Sequence, residues 1–231
     1  MKIKFFSILS GLIISICTFS NLYSHTGHYK KLALIEMDIY RNGEIIGYSN
    51  YYFKSYEDIF EVINETKFEV KIAGVKIFSI ESMSKEKYQD DQLIEFKSET
   101  MQNDKRKFVN LIYDKSNEFF IIDGSSYKGK GDKENIVGNW WNHKILTSNS
   151  QISPLSGSIK QQEVNFISKE ILTINGNNIS VDHFKLKSTD KNLESDKKLD
   201  FDIWYDSKNN IIVKVEYNRL GKWQYILKKI E

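Results

Sequence analysis

Apolar and polar residues alternate with period two along most of the chain, and this pattern constrains the fold more than any other feature. In the segment from Phe60 to Ile72, the apolar residues Phe60, Val62, Phe68, Val70 and Ile72 share one parity, and Glu and Lys dominate the other. Because successive side chains of a β-strand point to opposite faces, this pattern predicts a strand with one buried and one solvated face. The alternation recurs in about ten to twelve segments, which predicts an all-β protein.

The connections between these segments have the chemistry of tight hairpins. Asn42-Gly43 and Asn175-Gly176 supply the positive φ angles that two-residue turns need. Consecutive hairpins form an antiparallel meander, and a sheet of so many long strands has to curl over its apolar face. We therefore predict an antiparallel meander of about ten to twelve strands, curled into a half-barrel or barrel, with at most one short helix. Residues 124–158 and 188–198 interrupt the pattern.

The beginning of the chain has the layout of a secretory signal peptide. A basic region, residues 1–4, precedes an almost unbroken apolar run, residues 5–19, that is too short for a stable membrane anchor. We expect residues 1–24 to be removed, leaving one β-rich domain over residues 25–231 without a stable transmembrane segment. An uncleaved anchor and a lipoprotein signal at Cys17 are the alternatives, and the second is disfavoured because Ile16 precedes the cysteine where lipid-attachment signals have Gly, Ala or Ser. The expected location is the periplasm or the exterior of a Gram-negative cell.

Removal of the signal peptide would change the charge and the cysteine content of the chain. It would take away Cys17, the sole cysteine, and two of the 33 basic residues, leaving 31 against 31 acidic residues. A neutral chain has no overall attraction to nucleic acid, so nucleic acid is not expected as a partner. Without cysteine, disulfides and thiolate metal sites are excluded, and stability has to come from a hydrophobic core. No cofactor is predicted.

The segment Asn139-Trp140-Trp141-Asn142-His143 is the strongest candidate for ligand binding. Adjacent tryptophans point opposite ways in an extended chain, so one could pack inward while the other lines a pocket. Neighbouring amides could then fix a polar head group, which predicts Trp140, Trp141, Asn142 and His143 as ligand-binding residues. The alternative is that the tryptophans close the end of the curved sheet and Asn142 satisfies loop backbone groups.

His25 and His28 form a second, conditional candidate. If cleavage follows Ser24, the new amino group and the two imidazoles could bind copper. The alternative is an N-terminus that carries two histidines and no metal. No other metal site is predicted, and no segment has the spacing of a catalytic motif.

Three segments have distinctive local sequences. Met37 to Gly47 combines a strand, an Asn-Gly turn and an Ile-Gly pair, Trp140-Trp141-Asn142 lies within the irregular region 124–158, and Phe201 to Asp206 reads Phe-Asp-Ile-Trp-Tyr-Asp. Together they resemble a family of exported bacterial proteins that is known only as a domain of unknown function. The resemblance implies an exported β-rich fold, akin to the half-barrel of lipoprotein carriers, and it implies no activity.

Three functional hypotheses follow from these features. The first is an envelope protein that binds or carries a lipidic or apolar small molecule on a hollow concave face, lined by residues such as Phe68, Val70, Phe201 and Ile203. The second is a structural or interaction protein of the envelope with a filled core and a protein partner. An envelope-acting enzyme without a recognisable motif is the third, and the lack of catalytic signatures makes it the least favoured.

Overall fold

Nearly all of the regular secondary structure is β-strand. A computed structural model describes residues 25–195 and 197–231, and over these residues it has fifteen strands in one continuous sheet. The strands in chain order are β1 (Leu34–Arg41), β2 (Glu44–Tyr56), β3 (Ile59–Ile72), β4 (Val75–Gln89), β5 (Gln92–Gln102), β6 (Lys105–Asp114), β7 (Phe119–Gly124), β8 (Lys128–Asp132), β9 (Ile136–Val137), β10 (Ser150–Ile152), β11 (Ile159–Ile174), β12 (Asn177–Ser188), β13 (Asp200–Asp206), β14 (Ile211–Asn218) and β15 (Lys222–Ile230). Two short 3-10 helices, Tyr29–Lys31 and His143–Leu146, complete the elements of this part of the chain. The predicted signal peptide, residues 1–24, lies outside the described residues.

The predicted all-β class is confirmed, but the predicted number of strands is wrong. The structure has fifteen strands over the described residues, where ten to twelve were expected, and two 3-10 helices instead of at most one short helix. The additional strands β8, β9 and β10 all lie within residues 124–158, where the alternation stops. They escaped prediction because β8 is Gly-rich and the other two are only two and three residues long, too short to display a period.

The two Asn-Gly turns have the backbone that their sequences predict. Asn42 and Gly43 have φ angles of 52° and 89°, and Asn175 and Gly176 have φ angles of 52° and 77°. Positive φ at both central residues is the type I′ geometry that matches the twist of the flanking strands. These turns connect β1 to β2 and β11 to β12.

The order of strands in the sheet explains how it curls. From one edge of the sheet the strands run in descending order from β8 to β1. Strand β1 then pairs with β15, and the order descends again from β15 to β9 at the other edge, so the terminal strands β1 and β15 pair in the middle. Neighbours are antiparallel except β9 and β10, which are parallel. The edge strands β8 and β9 do not pair, yet residues 133–135 connect them and can span only about 14 Å. The sheet is therefore curled into a barrel-like form whose ladder has one gap.

Side chains from distant strands meet inside the curled sheet. Phe68 on β3 packs against Trp223 on β15 with ring centroids 5.5 Å apart. Residues 133–158, called the inner segment below, cross this interior. Trp141 of the inner segment is 1% exposed, and the Ser98 hydroxyl on β5 donates to the Pro154 carbonyl at 2.5 Å. The Trp140 ring of the same segment packs against Phe201 on β13 with centroids 5.0 Å apart, so the inner segment bridges walls of the barrel that are far apart in the sheet.

Gly47 lies where β2 and β3 approach each other closely, and it allows a first test of this fold. A Cβ at this position would lie 2.0 Å from the Lys67 carbonyl oxygen and 2.5 Å from Phe68 Cβ. Because neither atom can move without the backbone, we expect Gly47→Ala to lower the free energy of unfolding by about 1–3 kcal/mol, measured by urea denaturation. The control is Gly74→Asn, at a φ of 78° with nothing within 4 Å, where Asn tolerates the conformation. An equal loss in both variants would contradict the close approach.

Candidate functional site

A cavity of about 760 Å³ lies inside the barrel. Phe68 and Val70 of β3 and Trp223 of β15 line its apolar side. It reaches solvent beside the β3–β4 and β14–β15 hairpins, because Ile77 and Leu220, which also line it, are 48% and 91% exposed. The volume is within the range of small-molecule sites in proteins. We call this space the inner cavity.

The interior is hollow on one side and packed on the other. Phe68 and Val70, predicted to line a hollow face, do line the inner cavity. Ile203 is fully buried in a packed cluster with residues of β12, β14 and the inner segment, and Phe201 packs edge-on against Trp140 with centroids 5.0 Å apart. The predicted concave face is therefore a pocket over β3 and a packed core over β13.

A row of hydroxyl side chains crosses one wall of the barrel from strand to strand. Ser49, Thr66, Ser82 and Thr100 are direct cross-strand neighbours on β2, β3, β4 and β5. The Ser49 and Thr66 hydroxyl oxygens are 2.7 Å apart, and those of Ser82 and Thr100 are 2.6 Å apart. Ser49, Thr66 and Ser82 line the inner cavity. We call these four residues the hydroxyl row.

A second polar row runs beside the first. Asn64, Ser84 and Ser98 are cross-strand neighbours on β3, β4 and β5, and Asn64 and Ser84 line the inner cavity. The Asn64 amide donates to the Ser49 hydroxyl at 3.1 Å, which links the two rows. The inner cavity thus has a hydrogen-bonding wall in the middle of β2–β5 and an apolar wall formed by Trp223 on β15 and, nearer the open end of β3, by Phe68 and Val70.

Sequence reasoning missed this polar wall, although β3 carries its signal. Asn64 and Thr66 occupy the same parity as Phe60, Val62 and Phe68, and therefore point to the buried face. Two small polar residues in the middle of an apolar face are unusual, because a buried polar group costs free energy unless it is hydrogen-bonded. These two polar residues at positions of the buried face could have predicted the polar wall.

The Glu86 carboxylate lies at the inner end of the cavity and is 1% exposed. Its Oε1 accepts hydrogen bonds from Asn139 Nδ2 at 2.5 Å and Trp141 Nε1 at 2.9 Å, and its Oε2 accepts one from the Tyr88 hydroxyl at 2.6 Å. Burial raises the pKa of Glu86 to about 7, although the hydrogen bonds from Tyr88 and Trp141 oppose this rise. These bonds fasten the inner segment to β4.

The two adjacent tryptophans occupy different environments. Trp141 fills the closed end of the barrel, where its ring meets Tyr29 edge-on at 4.9 Å and Tyr88 at 5.7 Å. Trp140 lines the inner cavity, and its ring lies 6.3 Å from that of Tyr225. A ligand in the cavity can therefore contact Trp140, whereas Trp141 is enclosed by other aromatic rings. The predicted role of both in ligand binding stays a prediction.

Asn142 and His143 lie outside the lining of the inner cavity. The Asn142 side-chain oxygen accepts from the Lys144 amide at 3.0 Å and so caps the 3-10 helix that follows. His143 Nδ1 is 3.0 Å from the Tyr29 hydroxyl, and its ring stacks on Tyr205. Of the four predicted binding residues, the structure places Trp140 at the cavity and the other three at the closed end. Their roles in binding remain predictions.

The segment that begins at His25 covers the closed end. The His25 backbone amide donates to an Asp91 carboxylate oxygen at 2.8 Å, and the His28 and His143 ring centroids are 4.9 Å apart. Burial lowers the pKa of His25 and of His143 to about 4, with neighbouring cationic groups adding to the effect. In residues 25–195 and 197–231 no three His, Cys, Asp or Glu side chains are placed to hold a metal ion. The copper hypothesis remains a prediction.

Residues 37–228 match the profile of the family named Domain of unknown function (DUF6134), and the chain belongs to this family. The match contains all three distinctive segments of the sequence, and it confirms the resemblance to a domain of unknown function. No curated protein sequence matches the chain.

Solved structures give a likeness of fold. A beta-barrel-like protein of DUF1849 from Brucella abortus is similar, with a TM-score of 0.59, 8% identity, and coverage of 87% of this chain and 97% of that one. A Bacteroides fragilis protein, described as exported with a YmcC-like fold, has a TM-score of 0.36, 14% identity, and coverage of 86% and 94%. The first supports a barrel-like fold alone. In the described part of the chain, no helix has the length and apolarity needed to span a membrane.

The separate environments of the two tryptophans can be tested by truncation. Trp141→Ala empties a closed aromatic site and removes a donor from Glu86, so we expect it to lower the free energy of unfolding by about 3–5 kcal/mol. Trp140→Ala should cost less, because one side of that ring already faces the cavity. Urea denaturation of both variants measures the difference. A larger loss for Trp140→Ala would contradict the placement of the rings.

The shifted pKa values predict how stability depends on pH. Between pH 4 and 6.5, the unfolded chain takes up protons at His25 and His143 that the folded chain does not, so acidification through this range destabilises the protein. Glu86 acts in the opposite direction: the folded chain holds its proton up to about pH 7, so the stability from this group is lost as the pH rises from 4.5 to 7. Burial also lowers the pKa of His28. Because three histidines oppose one carboxyl group, we expect maximal stability near pH 6.5.

Glu86→Gln separates these contributions. The variant keeps an acceptor for Trp141 and Asn139 but does not titrate, so stability should rise more steeply from pH 4.5 to 6.5 and should not fall from 6.5 to 7. Urea denaturation at half-unit pH steps measures both curves. Parallel curves for the wild type and the variant would refute the raised pKa of Glu86.

Proposed function

We propose that this member of the DUF6134 family is exported to the cell envelope, where it binds a lipidic small molecule in the inner cavity. The observation that carries the proposal is the cavity of about 760 Å³ in a barrel that is otherwise packed. Small globular proteins seldom keep so large an interior space without an occupant, because unfilled volume forfeits packing energy. The layout of residues 1–24 as a signal peptide supports the location.

The two walls of the inner cavity indicate the kind of ligand. Phe68, Trp223 and Leu155 offer apolar surface that suits a hydrocarbon chain. In the two polar rows on β2–β5, Ser82 and Ser84 offer hydroxyl groups that suit oxygen-bearing groups of the ligand or bound water. An amphipathic molecule matches both walls, and a plain hydrocarbon matches only one.

The alternative is an interaction protein of the envelope with a filled core. It is favoured by the packed half of the barrel, where Ile203, Leu186 and Val215 are all fully buried. The inner cavity weighs against it, because a scaffold gains nothing from an empty interior. The two functions differ in whether the protein retains a small molecule.

Native mass spectrometry distinguishes the two functions. The full chain is expressed in a Gram-negative host, isolated from the periplasm and measured before and after solvent extraction. We expect an added mass that extraction removes, and uptake of a lipid mixture by the extracted protein. A bare mass together with no uptake of lipid would contradict ligand binding and favour the scaffold.

A cavity-filling substitution provides the matched test. Ser82 points into the inner cavity, whereas Met83 on the same strand points outward and is 60% exposed. We expect Ser82→Phe to weaken lipid uptake at least about tenfold by occupying the cavity, and Met83→Phe to leave it unchanged. Uptake can be followed by the fluorescence of Trp140 and Trp223, which line the cavity. Equal uptake by both variants would place the ligand elsewhere.

A further inference from the structure

The charged residues that line the inner cavity are separated by sign. Arg41, Lys107 and Arg219 line it near the β1–β2, β5–β6 and β14–β15 hairpins, at the open end. Glu86 lines it at the inner end, where the inner segment closes the barrel. Within the described residues no other ionised side chain lines the cavity. The cavity is therefore electropositive at its entrance and carries its one carboxyl group at its inner end.

The cations at the entrance have no acidic partner in residues 25–195 and 197–231. Many surface lysines pair with a carboxylate across the sheet, as Lys87 does with Glu95 at 2.8 Å. Arg41 donates to the Leu220 carbonyl, and Arg219 donates to the Lys198 carbonyl at 3.3 Å. Each guanidinium has five N–H donors, so most of them remain available to a ligand.

The few arginines of the chain are concentrated at the entrance of the cavity. The chain has thirty lysines but only three arginines, and two of the three, Arg41 and Arg219, line the cavity entrance. The third, Arg106, is exposed and pairs with Glu99 at 2.6 Å. Arginine differs from lysine in presenting a planar fork that binds carboxylate or phosphate through two hydrogen bonds. The rare residue type thus occurs where an anionic group would enter.

The 219–221 turn links both arginines to Trp223. Arg41 donates to the Leu220 carbonyl, and its guanidinium carbon lies 5.8 Å from the centre of the Trp223 ring. The Trp223 indole in turn donates to the Arg219 carbonyl at 2.8 Å. A cationic entrance is therefore built directly onto the apolar wall that Trp223 forms.

We propose that the ligand is an anionic amphiphile, with a carboxylate or phosphate head held by Arg41 and Arg219 at the entrance and a tail lying inward along Trp223. This inference rests on the proposed function, since it assigns a chemical class to the occupant of the same cavity. Above about pH 7, where Glu86 is ionised, its carboxylate at the inner end disfavours an anionic head there and so fixes the orientation. Lys107 adds a third positive charge to the entrance.

The test compares ligands that share one chain and differ in the head group. Protein exported from the full chain and freed of lipid is titrated with dodecanoate, dodecyl phosphate, dodecanol and inorganic phosphate at pH 8, below the micellar range. We expect the two anionic amphiphiles to bind at least about tenfold more tightly than dodecanol. The preference should shrink as salt is added, because the entrance is open to solvent.

Variants that remove one charge test whether the cations at the entrance cause the preference for anionic amphiphiles. Arg41→Gln and Arg219→Gln should lose most of the preference for dodecanoate while keeping the affinity for dodecanol, which also reports that the cavity is intact. Lys107→Gln should weaken the preference to a lesser degree, without disturbing the 219–221 turn. Arg106→Gln is the matched control and should bind like the wild type.

The possible outcomes distinguish a failure of the anionic head group from a failure of the proposed lipid binding. Dodecanol bound as tightly as dodecanoate would overturn the anionic head while leaving lipid binding intact. Inorganic phosphate bound as tightly as dodecyl phosphate would also overturn it, because the site would then be one for free anions. If no chain-bearing ligand binds at all, the proposed function fails as well. A loss in Arg106→Gln equal to that in Arg41→Gln would mean that overall charge, and not the entrance, sets the preference.

Discussion

The interaction on which the interior depends is the set of hydrogen bonds to the Glu86 carboxylate. Asn139 and Trp141 of the inner segment, and Tyr88 of β4, all donate to it, and the Glu86 side chain is almost fully buried. Burial of a carboxyl group is costly, and this cost is offset only while all three donors are in place. The inner segment is therefore held against one wall at a fixed depth. On one side of this fixed point the aromatic rings pack around Trp141, and on the other side the barrel stays hollow.

The polar wall explains why the hollow half does not collapse. Serine and threonine are too small to fill the space, and their hydroxyls are satisfied along the sheet by one another, as between Ser82 and Thr100. A wall of this kind gains little from contact with apolar side chains across the barrel, because closure would strip water from its remaining hydrogen-bonding sites. On the opposite wall, Trp223 is held by its own hydrogen bond to the Arg219 carbonyl. The cavity is thus maintained by residues on both walls.

The alternation in the sequence predicts the strands well, because successive side chains of a strand point to opposite faces and the residue order therefore shows both faces. It cannot predict β9 and β10, whose pairing depends on where the inner segment crosses the barrel. Of the candidate site, Phe68 and Val70 follow from parity alone. The hydroxyl row does not, since Ser49, Thr66 and Ser82 become neighbours only through the register of three separate strands. Likewise, the Trp-Trp pair predicts two different environments but not which ring faces the cavity. That depends on the hydrogen bond from Trp141 to Glu86, which lies 55 residues away in the sequence.

The pairing of β1 with β15 has a consequence for how the protein is made. The central seam of the sheet joins the first and the last strands, with the Ala33 amide bonded to the Glu231 carbonyl at 2.6 Å. Contacts between residues so distant in sequence form late, because the loop they close is long. A chain made from its N-terminus cannot form this seam until β15 has emerged. The barrel is therefore completed last, at the pair of strands that lie farthest apart in the sequence, whereas each hairpin can form as soon as its own two strands have appeared.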